Sequence, residues 1–365
     1  MSINIGITIS VKDSENIWSN GIRQNVINLA LILKNSTKDY NVFIVNTSKY
    51  DTIEYDIEGI TIHPISDKVK DLDILYILGS QITDDHYNYL KEKGCKIVYY
   101  SCGANYIIDM QNILFKNNNE SRKFYKHKPD EIWNIPQNYK TNKYYFETIY
   151  NVEVKEIPFV WSPTFLDYII KNHDIDTFYK PTNEKKRISC FEPNIDVVKF
   201  AMYDILIVEQ AYKENKDLIK HFYVTNALKI KESELFIGIM NNFDIVKEHI
   251  VTFESRYKMP WFLSEHTDIV ISHQWENPLN YAYLDALYLK YPLVHNAHMI
   301  KEAGYYYDEF NVKDGKKQLL YALKEHDNNL EEYELRSQKV LDRYLPTNQE
   351  SIKKYDELIE KLLNK

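Results

Sequence analysis

Apolar residues along this chain recur in two rhythms that keep changing places. Residues 3–10, 40–46, 60–65, 72–78 and 96–101 are short runs rich in Ile, Val, Leu and Tyr, most with polar residues after them. Such runs predict strands. Between them, residues 21–33 carry Ile22, Val26, Leu29, Ala30 and Leu33 at helical spacing, and residues 84–93 read as a second helix. Helical patterns over 111–128 and 140–147 then alternate with strands over 131–135 and 153–157. Residues 158–186 hold Pro158, Pro163, Pro181 and many charges, and read as a linker. A second series follows, with strands over 187–191, 221–225, 268–272 and 292–294 and a strand region over 244–252. Helices are expected over 197–212, 257–265, 315–326, 329–344 and 352–363. Strand and helix in alternation predict an α/β fold with parallel sheets, in two Rossmann-like halves.

The most informative stretch is HQWENPLNYAYLDALYLKYPLVHNA, residues 273–297. It lies between two predicted strands. Asn277 reads as a helix N-cap and Pro278 as the first helical residue, where its missing N–H costs nothing. Leu279, Ala282, Ala286, Leu287 and Leu289 then follow a helical period. The loop 273–277 therefore sits at the carboxyl end of a strand and the amino end of a helix. Ligands dock at such places in open α/β sheets, and free backbone N–H groups there suit phosphate.

A chain of 365 residues is long enough for two cores. Its net charge of −8 argues against broad nucleic-acid binding. No run approaches the ~18 apolar residues of a membrane span. The opening MSINIGITIS has no basic leader region, so the expectation is a cytoplasmic protein. Cys95, Cys102 and Cys190 show no metal spacing and fit buried thiols in a reducing compartment. The 31 tyrosines beside nine glycines are read as coding bias rather than as evidence for a sugar cleft. There is no G-x-G-x-x-G, which weakens a dinucleotide reading. There is no D-x-D in a suitable loop either, since Asp71 and Asp73 lead into a strand. No essential metal and no cofactor are expected.

The second half resembles the nucleotide-sugar domain of GT-B glycosyltransferases of group 1. The resemblance rests on Glu276, Asn277-Pro278-Leu279, Asp285-Ala286-Leu287 and Tyr291-Pro292-Leu293-Val294, and continues through His295-Asn296 and Ala303-Gly304-Tyr305-Tyr306-Tyr307. The same segment, with IWSNGIRQN near the N-terminus, is similar to an uncharacterised bacterial family of glycosyltransferase-like proteins. The second acid is Asp285 rather than Glu, one position further on than in the group 1 pattern, and Lys290-Tyr291 replaces the usual glycine. Donor identity and stereochemistry are therefore left open.

The resemblance implies two Rossmann-like domains facing each other across a cleft. Residues 1–165, completed by a C-terminal helix at about 350–365, would bind the acceptor; residues 184–348 would bind the nucleotide sugar. Glu276 would face the donor sugar as the catalytic candidate, and Asp285 the ribose. Asn277, with the N–H groups of Leu279 and Asn280, would approach the diphosphate. The plainer alternatives are a capping partner for Glu276 and a solvated helix residue for Asp285. His273 is either a phosphate donor or a strand-end cap, and Trp275 is expected in the core rather than on a base. Asn296 should border the same pocket, as should Glu192 and Asn194 after the first strand of the second half. Arg256 is a candidate diphosphate partner. In the first half, Ser19, Asn20 and Gly21 form a diphosphate or acceptor loop, with Gly103 and Asn105 near the acceptor; capping is the alternative for Asn20. Asp109, His127 and Glu147 are weak candidates for a general base.

The function this implies is transfer of a sugar from a nucleotide-diphosphate donor to a glycan, glycolipid or other hydroxyl acceptor, as in polysaccharide biosynthesis, with peripheral association at the inner membrane face compatible with it. The rivals are a non-catalytic nucleotide-sugar-binding module or partner subunit, and a nucleotide-sugar isomerase.

Overall fold

A computed structural model describes residues 2–12, 21–48, 56–57, 59–115, 126–173 and 176–365. The chain forms two compact units. Unit 1 is Met1–Ser162 with Tyr344–Lys365, and unit 2 is Pro163–Arg343.

Unit 1 contains β1 (Ile3–Ile9), α1 (Gly21–Lys34), β2 (Tyr40–Asn46), β3 (Asp56–Ile57), β4 (Ile60–Pro64), α2 (Ile65–Lys68), β5 (Ile74–Ile77), α3 (Asp84–Glu92), β6 (Lys96–Ser101), α4 (Asn105–Phe115), β7 (Glu131–Asn134), α5 (Pro136–Tyr150) and β8 (Val154–Glu156). Unit 2 contains α6 (Thr164–His173), β9 (Lys186–Cys190), α7 (Met202–Glu214), β10 (Ile219–Val224), α8 (Glu234–Met240), α9 (Asp244–Lys247), β11 (Val251–Phe253), α10 (Met259–His266), β12 (Ile269–Ser272), α11 (Tyr281–Tyr288), β13 (Leu293–His295), β14 (Tyr305–Tyr306), α12 (Val312–Glu325) and α13 (Leu330–Leu341). The last helix, α14 (Gln349–Leu363), belongs to unit 1 again.

The sheet of unit 1 runs β3-β4-β2-β1-β5-β6-β7-β8, and every pairing is parallel except β3 with β4. The sheet of unit 2 runs β11-β10-β9-β12-β13-β14 and is all parallel. Central strands such as β5 and β12 are buried at every residue, as expected for strands covered by helices on both faces. Each sheet reverses its winding beside its first strand. In unit 2 the chain builds β9, β10 and β11 outward, then returns to β12 on the other side of β9. That reversal separates the loops that leave β9 and β12, and opens a crevice at their carboxyl ends.

The stretch 158–186, expected to be a linker, holds helix α6, and Tyr179 and Thr182 bond to Asp327 within unit 2. The strand region expected over 244–252 splits into the short helix α9 and the three-residue β11. Helix α14 docks on unit 1 through Ile352, Tyr355, Leu358, Ile359 and Leu362, all buried. The Tyr355 hydroxyl meets that of Tyr100 at 2.8 Å and donates to the Pro158 carbonyl at 2.9 Å, and Ser36 donates to Asp356.

A truncation inside this contact tests it. Ile359→Ala should cost about 2–5 kcal/mol, the usual range for emptying a fully buried aliphatic site. Amide hydrogen exchange should then accelerate across β1, β6 and β7 while β9 and β12 keep their protection.

Candidate functional site

The crevice beside β9 holds a solvent-open recess with about 360 Å³ of free space, wholly within unit 2. It is lined by Glu192 and Pro193 after β9, Lys199 ahead of α7, Ser272 at the end of β12, and Asn280 and Tyr283 at the start of α11. These positions come from two separate β-to-α connections, which only the parallel sheet brings together.

Glu192 is the chemically distinctive group. It is 4% exposed, and the Ser272 hydroxyl donates to its Oε1. Burial pushes its carboxyl from the ordinary value of 4.5 up to about 7, with the Lys199 ammonium and the Ser272 hydrogen bond opposing that rise. Burial in turn lowers the Lys199 ammonium below its ordinary value. Below this pair, Asp204 is fully buried; the Cys190 thiol donates to its Oδ2 at 3.0 Å, and the backbone N–H of His273 also bonds it. Burial, and then the charge of Glu192, raise the Asp204 carboxyl well above its ordinary value. A carboxyl that exchanges its proton near neutrality, beside an ammonium and a hydroxyl, is equipped to grip a polar ligand or to move a proton.

The loops around the recess are held by carboxamides. Asn194 has φ +53°; its Nδ2 donates to the carbonyls of Glu192 (3.0 Å) and Thr225 (3.1 Å), and its Oδ1 accepts from Ala201 N–H at 2.9 Å. Asn226 Nδ2 donates to the carbonyls of Phe191 and Glu192. On the β12 side, Asn296 Oδ1 accepts from Gln274 N–H, and its Nδ2 donates to the carbonyls of Gln274 and Glu309. Asn194 and Asn296, taken from the sequence as donor-binding candidates, thus spend these atoms on the backbone of the loops.

The start of α11 differs from the sequence expectation. The helix is Tyr281–Tyr288, its cap is Asn280, whose side chain accepts from Tyr283 N–H, and Asn277 is not the cap. Gln274 Oε1 accepts from Asn277 N–H at 2.7 Å, which holds residues 277–279 in a loop ahead of the helix. Pro278 is therefore a loop residue, and Leu279 is buried at 1% exposure. Trp275, expected in the core, is 43% exposed; its N–H donates to Val198 O at 2.9 Å. Glu276 is exposed, with φ +55°. Asp285 lies half-buried on the second turn of α11. Arg256 is exposed after β11.

His273 is 4% exposed, stacks on Tyr203 with ring centroids 4.4 Å apart, and its Nδ1 is 3.0 Å from the Tyr307 hydroxyl. Burial lowers it to about 4, so it is neutral at pH 7. His295 is also lowered to about 4 by burial. Its Nδ1 accepts from Ala297 N–H, so Nε2 carries the proton it shares with the Ala303 carbonyl. Of the unit 1 candidates, Ser19 and Asn20 lie outside the described residues, and Gly21 opens α1. Gly103 O accepts from Asn142 Nδ2 at 2.8 Å, and Asn105 Oδ1 accepts from Ser101 Oγ at 2.9 Å. Asp109 is bonded by the Tyr145 hydroxyl, and His127 sits 3.0 Å from Asp84. Glu147 is half-buried on α5.

Sequence reasoning passed over Lys199, Ser272 and Tyr283 in the recess, and Gln274 beside it. The position of Gln274, directly after His273 in a strand-end loop, was a usable signal; Lys199 carried none.

The chain belongs to the family described as protein of unknown function (DUF2827), whose model matches residues 5–359. No curated protein sequence matches the chain. Among solved structures it is similar to the catalytic domain of starch synthase IV from Arabidopsis thaliana bound to ADP and acarbose, at 11% identity over 100% of both chains with TM-score 0.58. It is also similar to an α,α-trehalose-phosphate synthase (UDP-forming) from Burkholderia xenovorans in complex with glucose-6-phosphate, at 10% identity over 99% of this chain and 100% of that one, with TM-score 0.57. A mutant O-GlcNAc transferase from Thermobaculum terrenum matches at 9% identity over 99% of this chain and 68% of that one, with TM-score 0.55. These neighbours are GT-B glycosyltransferases, and the fold is theirs: α/β, with two parallel sheets. Among the described residues, no helix is long and apolar enough to cross a membrane.

The acid in the recess should leave a mark on stability. Its folded pKa, about 7, lies above its ordinary value. The folded state therefore holds the extra proton, and stability present below about pH 4.5 declines as pH rises through 7. Glu192→Gln removes that decline, so urea unfolding should find the variant gaining on the parent between pH 5 and pH 8, by up to about 3 kcal/mol. The histidines act in the opposite sense. His273, His295 and His326, each lowered to about 4, stabilise above pH 6.5 and lose that contribution as pH falls towards 4.

Proposed function

We propose that this chain is a glycosyltransferase that moves a sugar from a nucleotide-diphosphate donor to a glycan or other hydroxyl acceptor, with the donor held by unit 2. The observation that carries the reading is the recess at the winding reversal, with Glu192, Lys199 and Ser272 converging in it. The bond that breaks joins the sugar's anomeric carbon to a phosphate oxygen, and the bond that forms joins that carbon to the acceptor oxygen. The acceptor proton leaves to a base, and negative charge gathers on the departing diphosphate.

Glu192 and Ser272 grip the hydroxyls of the donor sugar, since a carboxyl accepts through two oxygens and donates when protonated. Lys199 and Arg256 offset the charge of the diphosphate, so no metal is required. Glu276 stays assigned to the sugar, from the loop that carries Ser272 and Asn280. Asp285 remains assigned to the ribose, and His273 and Asn277 to the edge of the donor site. The fold of the chain, shared with nucleotide-sugar-dependent enzymes, supports the same substrate class. A non-catalytic binding module of the same fold is the second reading, favoured by the exposure of Glu276.

A thermal-shift panel of UDP-, GDP- and ADP-sugars and the free diphosphates tests the proposal. At least one nucleotide should raise the melting temperature by several degrees, because a ligand at 100 times its Kd adds about 2.7 kcal/mol. Donor hydrolysis or transfer should persist with chelator present and drop at least tenfold in Glu192→Gln. Indifference to every nucleotide would sink the reading. Binding without turnover, unchanged by Glu276→Ala, would leave the non-catalytic module.

A further inference from the structure

The lining of the recess in unit 2 is mixed, and the mixture narrows the sugar it can take. Phe191 and Pro193 after β9, Val270 on β12, Met259 at the start of α10 and Ala282 on α11 line it with apolar side chains. They share about 360 Å³ of open space with Glu192 and Asn280.

These two polar residues keep part of their capacity unspent. The Ser272 hydroxyl donates to Glu192 Oε1, and Oε2 carries no hydrogen bond among the described residues. Asn280 caps α11: its Oδ1 accepts from Tyr283 N–H at 3.3 Å, and its Nδ2 meets no acceptor among the described residues. One acceptor and one donor are therefore left for a ligand, beside apolar surface.

The common substituents of a sugar fit this lining unequally. A hydroxymethyl group satisfies the polar atoms and leaves the apolar surface uncovered. The methyl of a deoxy sugar covers that surface and leaves the polar atoms unpaired. A uronate brings a second carboxylate next to Glu192, where like charges repel. An acetamido group carries an N–H, a carbonyl and a methyl within a few bonds. Its N–H suits Glu192 Oε2, its carbonyl suits Asn280 Nδ2, and its methyl suits Met259, Val270 and Ala282.

We propose that the recess selects a nucleotide donor whose sugar bears an acetamido group. This rests on the glycosyltransferase reading of unit 2 and names the sugar class that reading leaves open. A carboxylate oxygen has two lone pairs, so Glu192 Oε2 accepts the amide N–H and a ring hydroxyl together. Asn280 is thus a specificity residue as well as a helix cap, and Ala282 leaves the room that the methyl needs.

Isothermal titration of the full chain tests this, with N-acetylglucosamine, N-acetylgalactosamine, glucose, galactose and glucuronate as their UDP derivatives, and with GDP-mannose and free UDP. An acetamido donor should bind at least about tenfold tighter than its hydroxyl counterpart, the discrimination that a methyl-sized contact and a hydrogen-bonded pair supply. Asn280→Ser keeps a good helix cap and withdraws the carboxamide. It should erase the preference and leave the affinity for free UDP unchanged. Ala282→Val fills the space for the methyl and should have the same two effects, which keeps the test open should either variant fail to fold. The inference is overturned if UDP-glucose, UDP-glucuronate or GDP-mannose binds as tightly as the acetamido donors, or if either folded variant retains the preference. If UDP binds and no sugar preference appears, only this assignment is lost; if no nucleotide binds at all, the donor reading goes with it.

Discussion

Everything in the candidate donor site depends on burying one carboxyl where a parallel sheet reverses its winding. The loops leaving β9 and β12 diverge because the chain builds outward in opposite directions from that line. Into the gap the fold places Glu192, with the Ser272 hydroxyl bonded to it and Lys199 as the opposing charge. An apolar residue in that position would avoid the desolvation cost altogether. A carboxyl held there instead, titrating near neutrality, makes sense as the contact for a ligand that brings its own hydrogen bonds.

The asparagines of this protein do two different jobs. In unit 2, Asn194, Asn226 and Asn296 bond backbone groups of the loops and hold those loops in shape. Two of these residues adopt left-handed backbone, which asparagine tolerates better than most side chains. Such preorganisation lowers the ordering cost of binding. In unit 1, Asn142 plays the same framing part, while Asn280 of unit 2 caps α11 through Oδ1 and keeps its Nδ2 unspent in the recess. The residue type is identical in each case; the partners within reach decide what it does.

Much of the architecture was legible because its signals are local. Runs such as IVIS and KIVYYS read as buried strands, and the alternation of strands with helices required parallel sheets. Of the stretch 273–297 read as most informative, Asn280, Ala282 and Tyr283 line the recess. Its internal detail was harder. Asn277 and Asn280 both precede plausible helix starts, and the choice fell to Asn280 because Gln274 claims the Asn277 N–H. Trp275 looked like core, yet its backbone bond to Val198 pins a loop that leaves the ring partly in solvent. The prolines of the 158–186 stretch suggested a linker and said nothing of α6, whose residues find partners on α10 and α11.

From its order of residues alone, the chain determined its class, its alternating elements, and one loop-and-helix segment with the composition of a ligand site. Those properties follow from periodicity and capping, which act over a few neighbours. Tertiary structure alone decided which acid is buried. Glu192 and Ser272 are 80 positions apart, and they meet only because β9 and β12 pair side by side. It also decided which asparagines are consumed and which is spared, because a buried side chain's hydrogen bonds depend on every element packed around it.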